Sequence, residues 1–183
     1  MNWTIPGTTL TERRDNADHV EEMFHSMFLA GGMVLSQVSA ITGLEAYTIQ
    51  NWVKRGFLAA PHNKRYDLEQ VCRIITINML KGALPLEKIC SLMQYINGDL
   101  TDESDDIIDD AVLYFMFVKL AARARYIGGS ESWDVAIENA MASYQEPLPG
   151  ARERVEKVLR AMLMAYISSR FKAQVDAMVD DLK

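Results

Sequence analysis

Residues 35–71, LSQVSAITGLEAYTIQNWVKRGFLAAPHNKRYDLEQV, decide the fold, because they predict two short amphipathic helices that meet at Gly43. Ser36 can accept hydrogen bonds from the free amides at the start of the first helix, and Gly43 can adopt the left-handed conformation that ends it. The second helix, residues 45–55, has two different faces. Its inner face carries Ile49, Trp52 and Val53, and its outer face carries Tyr47, Gln50, Asn51 and Lys54.

The outer face of this second helix has the chemistry of a DNA-binding helix-turn-helix. Asn and Gln side chains can form two hydrogen bonds with an adenine edge in the major groove, whereas Lys and Arg bind phosphates. We therefore expect Gln50 and Asn51, together with Tyr47, to lie near bases. Two helices joined by a glycine turn also occur in many all-α domains with other functions, so the turn alone does not decide between these interpretations.

A basic hairpin is predicted after the second helix. Gly56 ends that helix, Pro61 follows, and residues 62–66, HNKRY, predict a tight turn. A basic hairpin beside a DNA-binding helix is typical of phosphate binding. We therefore expect four basic side chains of this stretch to contact phosphates: Lys54, Arg55, Lys64 and Arg65.

Six motifs follow one another through residues 35–93. They are Gly43, the pair Thr48-Ile49, KRGFLAAP at residues 54–61, Tyr66, DLEQV at residues 67–71 and KGALPLEKI at residues 81–89. Their order resembles that of the DNA-binding domain of the MerR family of bacterial transcription regulators. In that family, the six motifs correspond in order to the inter-helix glycine, the start of the recognition helix, the segment before the wing, the wing's closing tyrosine and two later helical segments. The chain departs from the family pattern at Gln50-Asn51-Trp52, where Arg-Tyr-Tyr is usual, and its wing is shorter.

The resemblance implies a MerR-like winged helix-turn-helix with a small wing hairpin, whose partner is double-stranded DNA. The resemblance and the chemistry of the outer face together predict these DNA-binding residues: Tyr47, Thr48, Gln50, Asn51, Lys54, Arg55, Lys64, Arg65 and Tyr66. The whole chain also resembles a Gram-positive bacterial family of unknown function built on a MerR-like domain. The function implied is sequence-specific transcription regulation, and the alternative is a winged-helix module that binds proteins and not DNA.

The fold class predicted is all-α, with the winged helix-turn-helix packed against an N-terminal helix and a C-terminal helical bundle. Residues 1–32 are an N-terminal tail and amphipathic helix, residues 33–95 the MerR-like DNA-binding domain, and residues 96–183 a helical effector or dimerisation region. In the first part, residues 1–16 predict a partly extended or mobile segment. Residues 17–30 predict a helix whose Met and Phe stripe packs on the C-terminal helices or, less commonly, forms a partner groove.

Charge is unevenly distributed along the chain. The 183 residues carry a net charge of −6, which taken as a whole disfavours non-specific nucleic-acid binding, and their 49% of apolar residues can form a substantial core. Residues 33–95 carry seven Lys and Arg against four Asp and Glu, a net of +3. Of these basic residues, Arg73, Lys81 and Lys88 are expected to be solvated or to reach flanking phosphates.

The C-terminal region begins with an acidic stretch, NGDLTDESDDIIDD, at residues 97–110. We expect Thr101 to cap a helix whose first turns are acidic, as the helix dipole favours. A calcium loop is the alternative, but Gly98 is not at the sixth position that an EF-hand loop needs. The helix continues through the apolar residues 111–118, which predict a central buried helix, since eight residues are too few to span a membrane.

Later helices complete the region. Gly128-Gly129 ends the central helix, residues 132–145 form a short helix, and residues 151–182 form a long one. Four large side chains either fill the core or line a pocket for an unknown apolar effector: Tyr114, Met116, Phe117 and Trp133.

The long helix also predicts a homodimer. MerR relatives dimerise through a long helix after the DNA-binding domain, and residues 151–182 are the helix here that is long enough. Its first half is apolar around most of its circumference, which suits burial within the chain. Its second half has the narrower apolar spacing of a two-helix seam: Phe171, Val175, Met178 and Leu182.

Catalysis and cofactor binding have no sequence support. The chain has no glycine-rich phosphate loop, metal-ligand histidine spacing or nucleophile elbow, and its three histidines are scattered. Cys72 and Cys90 lie in helical apolar stripes, so we expect buried thiols and not a redox or metal switch. The charged N-terminus is unlike a signal peptide, which predicts a cytoplasmic protein. We therefore expect no enzyme activity, cofactor, bound metal or membrane partner.

Overall fold

The structure is a computed structural model that describes residues 2–98, 100, 105–123 and 132–182. Within this part of the chain most residues are helical, as predicted, and short strands form two antiparallel pairs. The strands are β1 (Asn2–Thr4), β2 (Thr11–Arg13), β3 (Met33–Val34) and β4 (Arg65–Tyr66). The helices are α1 (His19–Phe28), α2 (Leu35–Thr42), α3 (Ala46–Lys54), α4 (Leu68–Leu80), α5 (Leu86–Asn97), α6 (Asp110–Arg123), α7 (Trp133–Ala140) and α8 (Ala151–Asp180).

Helices α4 and α6 pack against each other at the centre of the core. α4 is buried over most of its length, and in α6 Tyr114 and Phe117 have no exposed surface. The predicted central helix is therefore confirmed, although Val112 at its start is 39% exposed. The first half of α8 packs on α4, α5 and α6. A continuous cluster of apolar side chains joins all three parts of the chain into this core.

The N-terminal segment has a more specific structure than its sequence predicts. β1 and β2 form an antiparallel hairpin with Trp3 opposite Glu12, and Trp3 and Ile5 are buried. The turn of the hairpin is bound to the core, because Tyr114 Oη donates to Pro6 O at 3.0 Å and Asn78 Nδ2 donates to Gly7 O at 2.8 Å. These contacts join residues far apart in the chain, so local sequence patterns do not reveal them.

α1 contributes two side chains to the core. Val20 and Phe24 are completely buried. The ring centroid of Phe24 lies 5.8 Å from that of Tyr114 and 5.7 Å from that of Phe115, at tilted and edge-on angles that aromatic pairs favour. The predicted packing of this helix on the C-terminal part of the chain is therefore confirmed through α6.

The start of α2 differs from the prediction. Ser36 is the second residue of the helix and not its cap, because Val34 occupies the cap position and its amide donates to Gln37 Oε1 at 3.0 Å. The predicted cap of α4 is confirmed. Asp67 Oδ1 accepts from Gln70 N at 2.8 Å, while Gln70 Oε1 accepts from Asp67 N at 3.1 Å, which is a reciprocal capping box.

The start of α6 also differs from the prediction. Thr101 lies outside the described residues, but residues 105–109 are described and are not α-helical, so the helix begins at Asp110. The acidic stretch is therefore a connection between α5 and α6 in its described part and not the first turns of a helix. The predicted break at residues 128–129 lies outside the described residues.

The last two helices follow the prediction with shorter bounds. α7 ends at Ala140 and not near residue 145, and Ser132 Oγ accepts from Val135 N at 3.4 Å at its start. α8 has 30 residues, which corresponds to roughly 45 Å. Among the described helices, none combines the length and apolar character needed to cross a membrane.

Candidate nucleic-acid interface

α2 and α3 meet at a glycine turn, as the sequence predicts. Gly43 has φ 69° and ψ 10°, the left-handed conformation, and its amide donates to Ser39 O at 2.8 Å. The N-terminal hairpin supports the end of α2, because Thr9 donates through its hydroxyl to Ala40 O and through its amide to Ile41 O, each at 2.8 Å. Hydrogen bonds within α2 and from the N-terminal hairpin thus both hold the turn from which α3 starts.

The two faces of α3 are those expected from the sequence. Ile49 is completely buried and Trp52 is 5% exposed, so these side chains anchor the helix to the core. The opposite face is open to solvent. Tyr47 is 70% exposed, and Gln50, Asn51 and Lys54 are exposed beside it.

The predicted basic hairpin is present. Arg65 N donates to His62 O at 2.8 Å, and Asn63 (φ 49°) and Lys64 (φ 62°) both have left-handed backbone conformations. Two successive residues of this kind are typical of a tight type I′ turn. The returning strand β4 pairs with β3, so that Val34 lies opposite Arg65 at the start of α2. This pairing places the hairpin beside both helices.

A groove of about 720 Å³ lies between the start of α2, the outer side of α3 and the hairpin. Ser36 lines it from α2, Gln50 and Lys54 from α3, and Lys64 and Tyr66 from the hairpin and β4. Four of the sequence-predicted site residues thus share this surface. Ser36 was predicted only as a helix cap, and its contribution to the groove depends on the pairing of β3 with β4.

Other predicted site residues have partners within the protein. Arg55 Nη2 lies 2.9 Å from Glu87 Oε1, and its guanidinium carbon lies 4.5 Å from the ring centroid of Phe57. Arg65 Nη1 donates to Gly32 O at 2.7 Å. Tyr66 is 3% exposed and Thr48 is half-buried. The contacts of Arg55 and Arg65 support α3 and the hairpin, although both residues are also exposed.

Arg73 corrects one expectation from the sequence. It is neither solvated nor placed to reach a phosphate, because it is 7% exposed and its Nη1 lies 3.0 Å from Asp110 Oδ2. A buried arginine needs a counter-charge, and the carboxylate of α6 supplies it. Lys81 and Lys88 are exposed, as expected.

The cysteines behave largely as apolar residues. Cys72 has no exposed surface, and burial raises the pKa of its thiol well above the usual value. Cys90 is half-buried, and burial raises its pKa also. A raised thiol pKa leaves less of the reactive thiolate near neutral pH. Among the described residues, no group of three or more His, Cys, Asp and Glu side chains is arranged to hold a metal ion.

Comparison with known proteins gives a family and one curated relative. The family described as "Domain of unknown function (DUF1836)" matches residues 18–117, which run from the residue before α1 into α6. The uncharacterized protein YkrK of Bacillus subtilis (strain 168) is 30% identical over 84 residues, 44% of this chain and 36% of that protein. The matched part therefore spans little more than a third of the relative's length. No solved structure matches the chain.

Proposed function

The chain belongs to the DUF1836 family, and we propose that it is a sequence-specific DNA-binding transcription regulator with a MerR-like winged helix-turn-helix. In this proposal α2 and α3 are the paired helices, α3 enters the major groove, and the hairpin that includes Lys64 is the wing. All three elements lie within the residues that the family matches.

The groove between α2, α3 and the hairpin is the observation that carries the proposal. It places the amide of Gln50 and the ammonium groups of Lys54 and Lys64 along one surface. Within the described residues, neither lysine forms an ion pair. Lysines without partners in the protein are available to bind the phosphate backbone, and the exposed helix beside them is available to the major groove.

The exposed residues divide by chemistry into base and phosphate contacts. Tyr47, Gln50 and Asn51 face outward from α3, so they are the residues proposed to contact bases. Lys54 and Lys64 flank them and are proposed to contact phosphates. Arg55 contacts Glu87 and Arg65 contacts Gly32, so these arginines are proposed mainly to hold α3 and the hairpin in place. Contact with phosphates is proposed as a lesser role for both.

The backbone of Lys64 supports a role for its side chain. Its φ of 62° lies in the region that favours glycine, and a residue with a Cβ atom there costs roughly 1–2 kcal/mol. Glycine would form the turn more easily but would carry no charge. A lysine at the tip of this hairpin is therefore better explained by the proposed contact of its ammonium with a phosphate than by the turn itself.

The alternative is a winged-helix module that binds a protein. Apolar side chains form much of the groove wall, including Val34, Leu35 and Val53, and the chain has a net charge of −6. A helical peptide could use such a wall as a hydrophobic groove. The two lysines at the groove favour DNA, because they would lie unpaired beside an apolar peptide.

A homodimer completes the proposal, formed through the C-terminal half of α8. Every residue of 171–180 is exposed, so this half of the helix lies outside the core. The exposed apolar residues in this half and just after it include Phe171, Val175, Met178 and Leu182. They are spaced alternately four and three residues apart, which is the heptad spacing of a two-helix seam. Two copies joined in this way would present two α3 helices to two half-sites.

Selection of bound sites from random double-stranded DNA tests the proposal. We expect one enriched sequence, with an affinity for it that falls steeply as salt rises. The variant Lys54→Gln/Lys64→Gln should weaken binding to all sequences and reduce the slope of log affinity against log salt by about 2 per protomer. Arg13→Gln/Lys157→Gln, at exposed positions on β2 and the first half of α8, is the control of equal charge change and should have little effect. No enriched sequence, or equal effects of the two variants, would contradict the proposal.

A further inference from the structure

A second cavity, of about 370 Å³, lies between α4, the end of α5 and the start of α6. Its lining is strongly acidic. Five carboxyl groups face one guanidinium group, that of Arg73: Asp67, Glu69, Asp106, Asp109 and Asp110. The sequence shows the acidic stretch before α6 but not that α4 brings further carboxylates and a buried arginine to it.

Three of the five carboxyl groups have partners in the protein. Asp110 Oδ2 lies 3.0 Å from Arg73 Nη1, Glu69 Oε2 accepts from Ala111 N at 2.8 Å, and Asp67 caps α4. Among the residues that the structure describes, no basic side chain lies within ion-pair distance of Asp106 or Asp109. Among the described lining residues, negative charge therefore exceeds positive charge.

Burial, and to a lesser extent the neighbouring carboxyl groups, raises the pKa values of two lining residues. Burial and then the neighbouring Asp110 and Asp105 raise the pKa of Asp106 to about 6. Burial, with Asp109, Asp110 and Asp67 acting in the same direction, raises the pKa of Glu69 to about 7 although Ala111 N opposes the change. A cation between these groups would relieve their repulsion.

Asn97 is an independent indication of a ligand. It is 4% exposed and lines the cavity from the end of α5, with its Nδ2 3.4 Å from Asp110 Oδ1. Its Oδ1 is buried and accepts no hydrogen bond within the described part of the chain. A buried acceptor without a donor is costly, so this side chain can gain a hydrogen bond from a ligand that donates.

We propose that this cavity binds a small organic cation with primary ammonium groups, such as a linear diamine. An ammonium group has three donors, which suit the carboxylates of Asp106 and Asp109 and the carbonyl of Asn97. The volume lies within the range of small-molecule pockets. Among the described residues, no three His, Cys, Asp or Glu side chains are placed to coordinate a metal ion directly.

The cavity also touches the proposed DNA-binding region. Leu58 and Ala59 line it ahead of the hairpin, and Gln70 on α4 donates to Ala60 O at 3.0 Å. A ligand that fixes α4 against α6 would thus act next to the hairpin. This consequence rests on the proposed function, whereas binding of the cation does not.

Isothermal titration of the full chain with 1,4-diaminobutane tests the proposal. Parallel titrations use magnesium chloride and calcium chloride at equal ionic strength. We expect saturable binding of one diamine per chain and weaker binding of either metal. Asp106→Asn/Asp109→Asn should lower the affinity at least about tenfold. This variant removes repulsion, so its thermal midpoint should not fall. Asp180→Asn/Asp181→Asn at the end of α8 is the control of equal charge change and should stay within about twofold.

Proton release gives a second readout. A bound cation favours the carboxylate forms of Asp106 and Glu69, so binding near pH about 6.5 should release protons. The measured enthalpy should then change with the ionisation enthalpy of the buffer in the wild-type chain, and change less in Asp106→Asn/Asp109→Asn. Absence of saturable diamine binding, equal affinity in both double variants, or tighter binding of a metal ion would each overturn the proposal. None of these outcomes depends on whether the chain binds DNA.

Discussion

Arg73 Nη1 in α4 lies 3.0 Å from Oδ2 of Asp110, the first residue of α6, and the two side chains are only 8% and 12% exposed. This ion pair joins the helix after the hairpin to the central helix of the C-terminal region. Burial raises the pKa of Asp110, and Arg73 opposes that effect. Because both charges are largely removed from water, Arg73 is the counter-charge that the buried carboxyl group of Asp110 needs, and loss of either partner leaves the other uncompensated.

Loss of one partner of this pair should be far more harmful than loss of both. Arg73→Met leaves Asp110 buried without a counter-charge and should lower the free energy of unfolding by about 3–5 kcal/mol. Arg73→Met/Asp110→Leu should recover most of that loss. Urea unfolding measures both. Arg55→Met, which breaks the exposed pair with Glu87, is the control and should cost less than about 1 kcal/mol. Equal losses of unfolding free energy in Arg73→Met and Arg55→Met would show that the buried pair contributes no more to stability than the exposed pair.

Glu69 should make the protein less stable as pH rises. Its pKa is raised from 4.5 to about 7 in the folded chain, mainly by burial, so the protonated form is favoured by folding. The resulting stability is fully present below pH 4.5 and is lost as pH rises through about 7. Glu69→Gln keeps the acceptor for Ala111 N and has no charge. At pH 8 it should be more stable than wild type by about 1 kcal/mol, an amount discounted for partial exposure of the side chain.

Urea unfolding of both proteins at several pH values between about 4.5 and 8 tests this prediction. The advantage of Glu69→Gln should disappear toward the acidic end, where Glu69 itself is protonated. Glu45→Gln, at an exposed position before α3, is the matched control and should show no such crossover. A constant difference between Glu69→Gln and wild type at all pH values would mean that Glu69 keeps an ordinary pKa.

The local parts of the fold could be predicted from the sequence, and the long-range contacts could not. Gly43 and Asp67 mark helix ends through residue types that act on their nearest neighbours, and both were confirmed. The pair Arg73–Asp110 spans 37 residues, and the bond from Tyr114 to Pro6 spans 108. Neither is visible in a pattern with a period of a few residues. For the same reason the exposed face of α3 was predictable, but the acidic cavity was not.

Gln50 should contribute to sequence preference and little to general affinity. Its side chain is exposed on α3 and lines the groove beside Lys54, where it can reach a base edge. Gln50→Ala should change the preference at one base position by about 1–3 kcal/mol and leave the salt slope unchanged. Selection of sites from random DNA with each variant measures this change. Ser91→Ala, an exposed change on α5, is the control, and an unaltered preference in Gln50→Ala would remove this residue from the base contacts.

The C-terminal half of α8 should hold two copies of the chain together. Val175 and Met178 are 56% and 68% exposed, so lysine at these positions should leave the core and the helix intact. In a dimer the same positions face the partner helix, and the substitutions would bury like charges at the seam. We therefore expect sedimentation equilibrium at micromolar concentration to show a dimer for wild type and a monomer for Val175→Lys/Met178→Lys. Ala173→Lys/Ala177→Lys, on the other side of α8, adds the same charge away from the seam and should remain dimeric. A wild-type chain that sediments as a monomer, both alone and with its selected DNA, would contradict the assignment of this helix as the dimer interface.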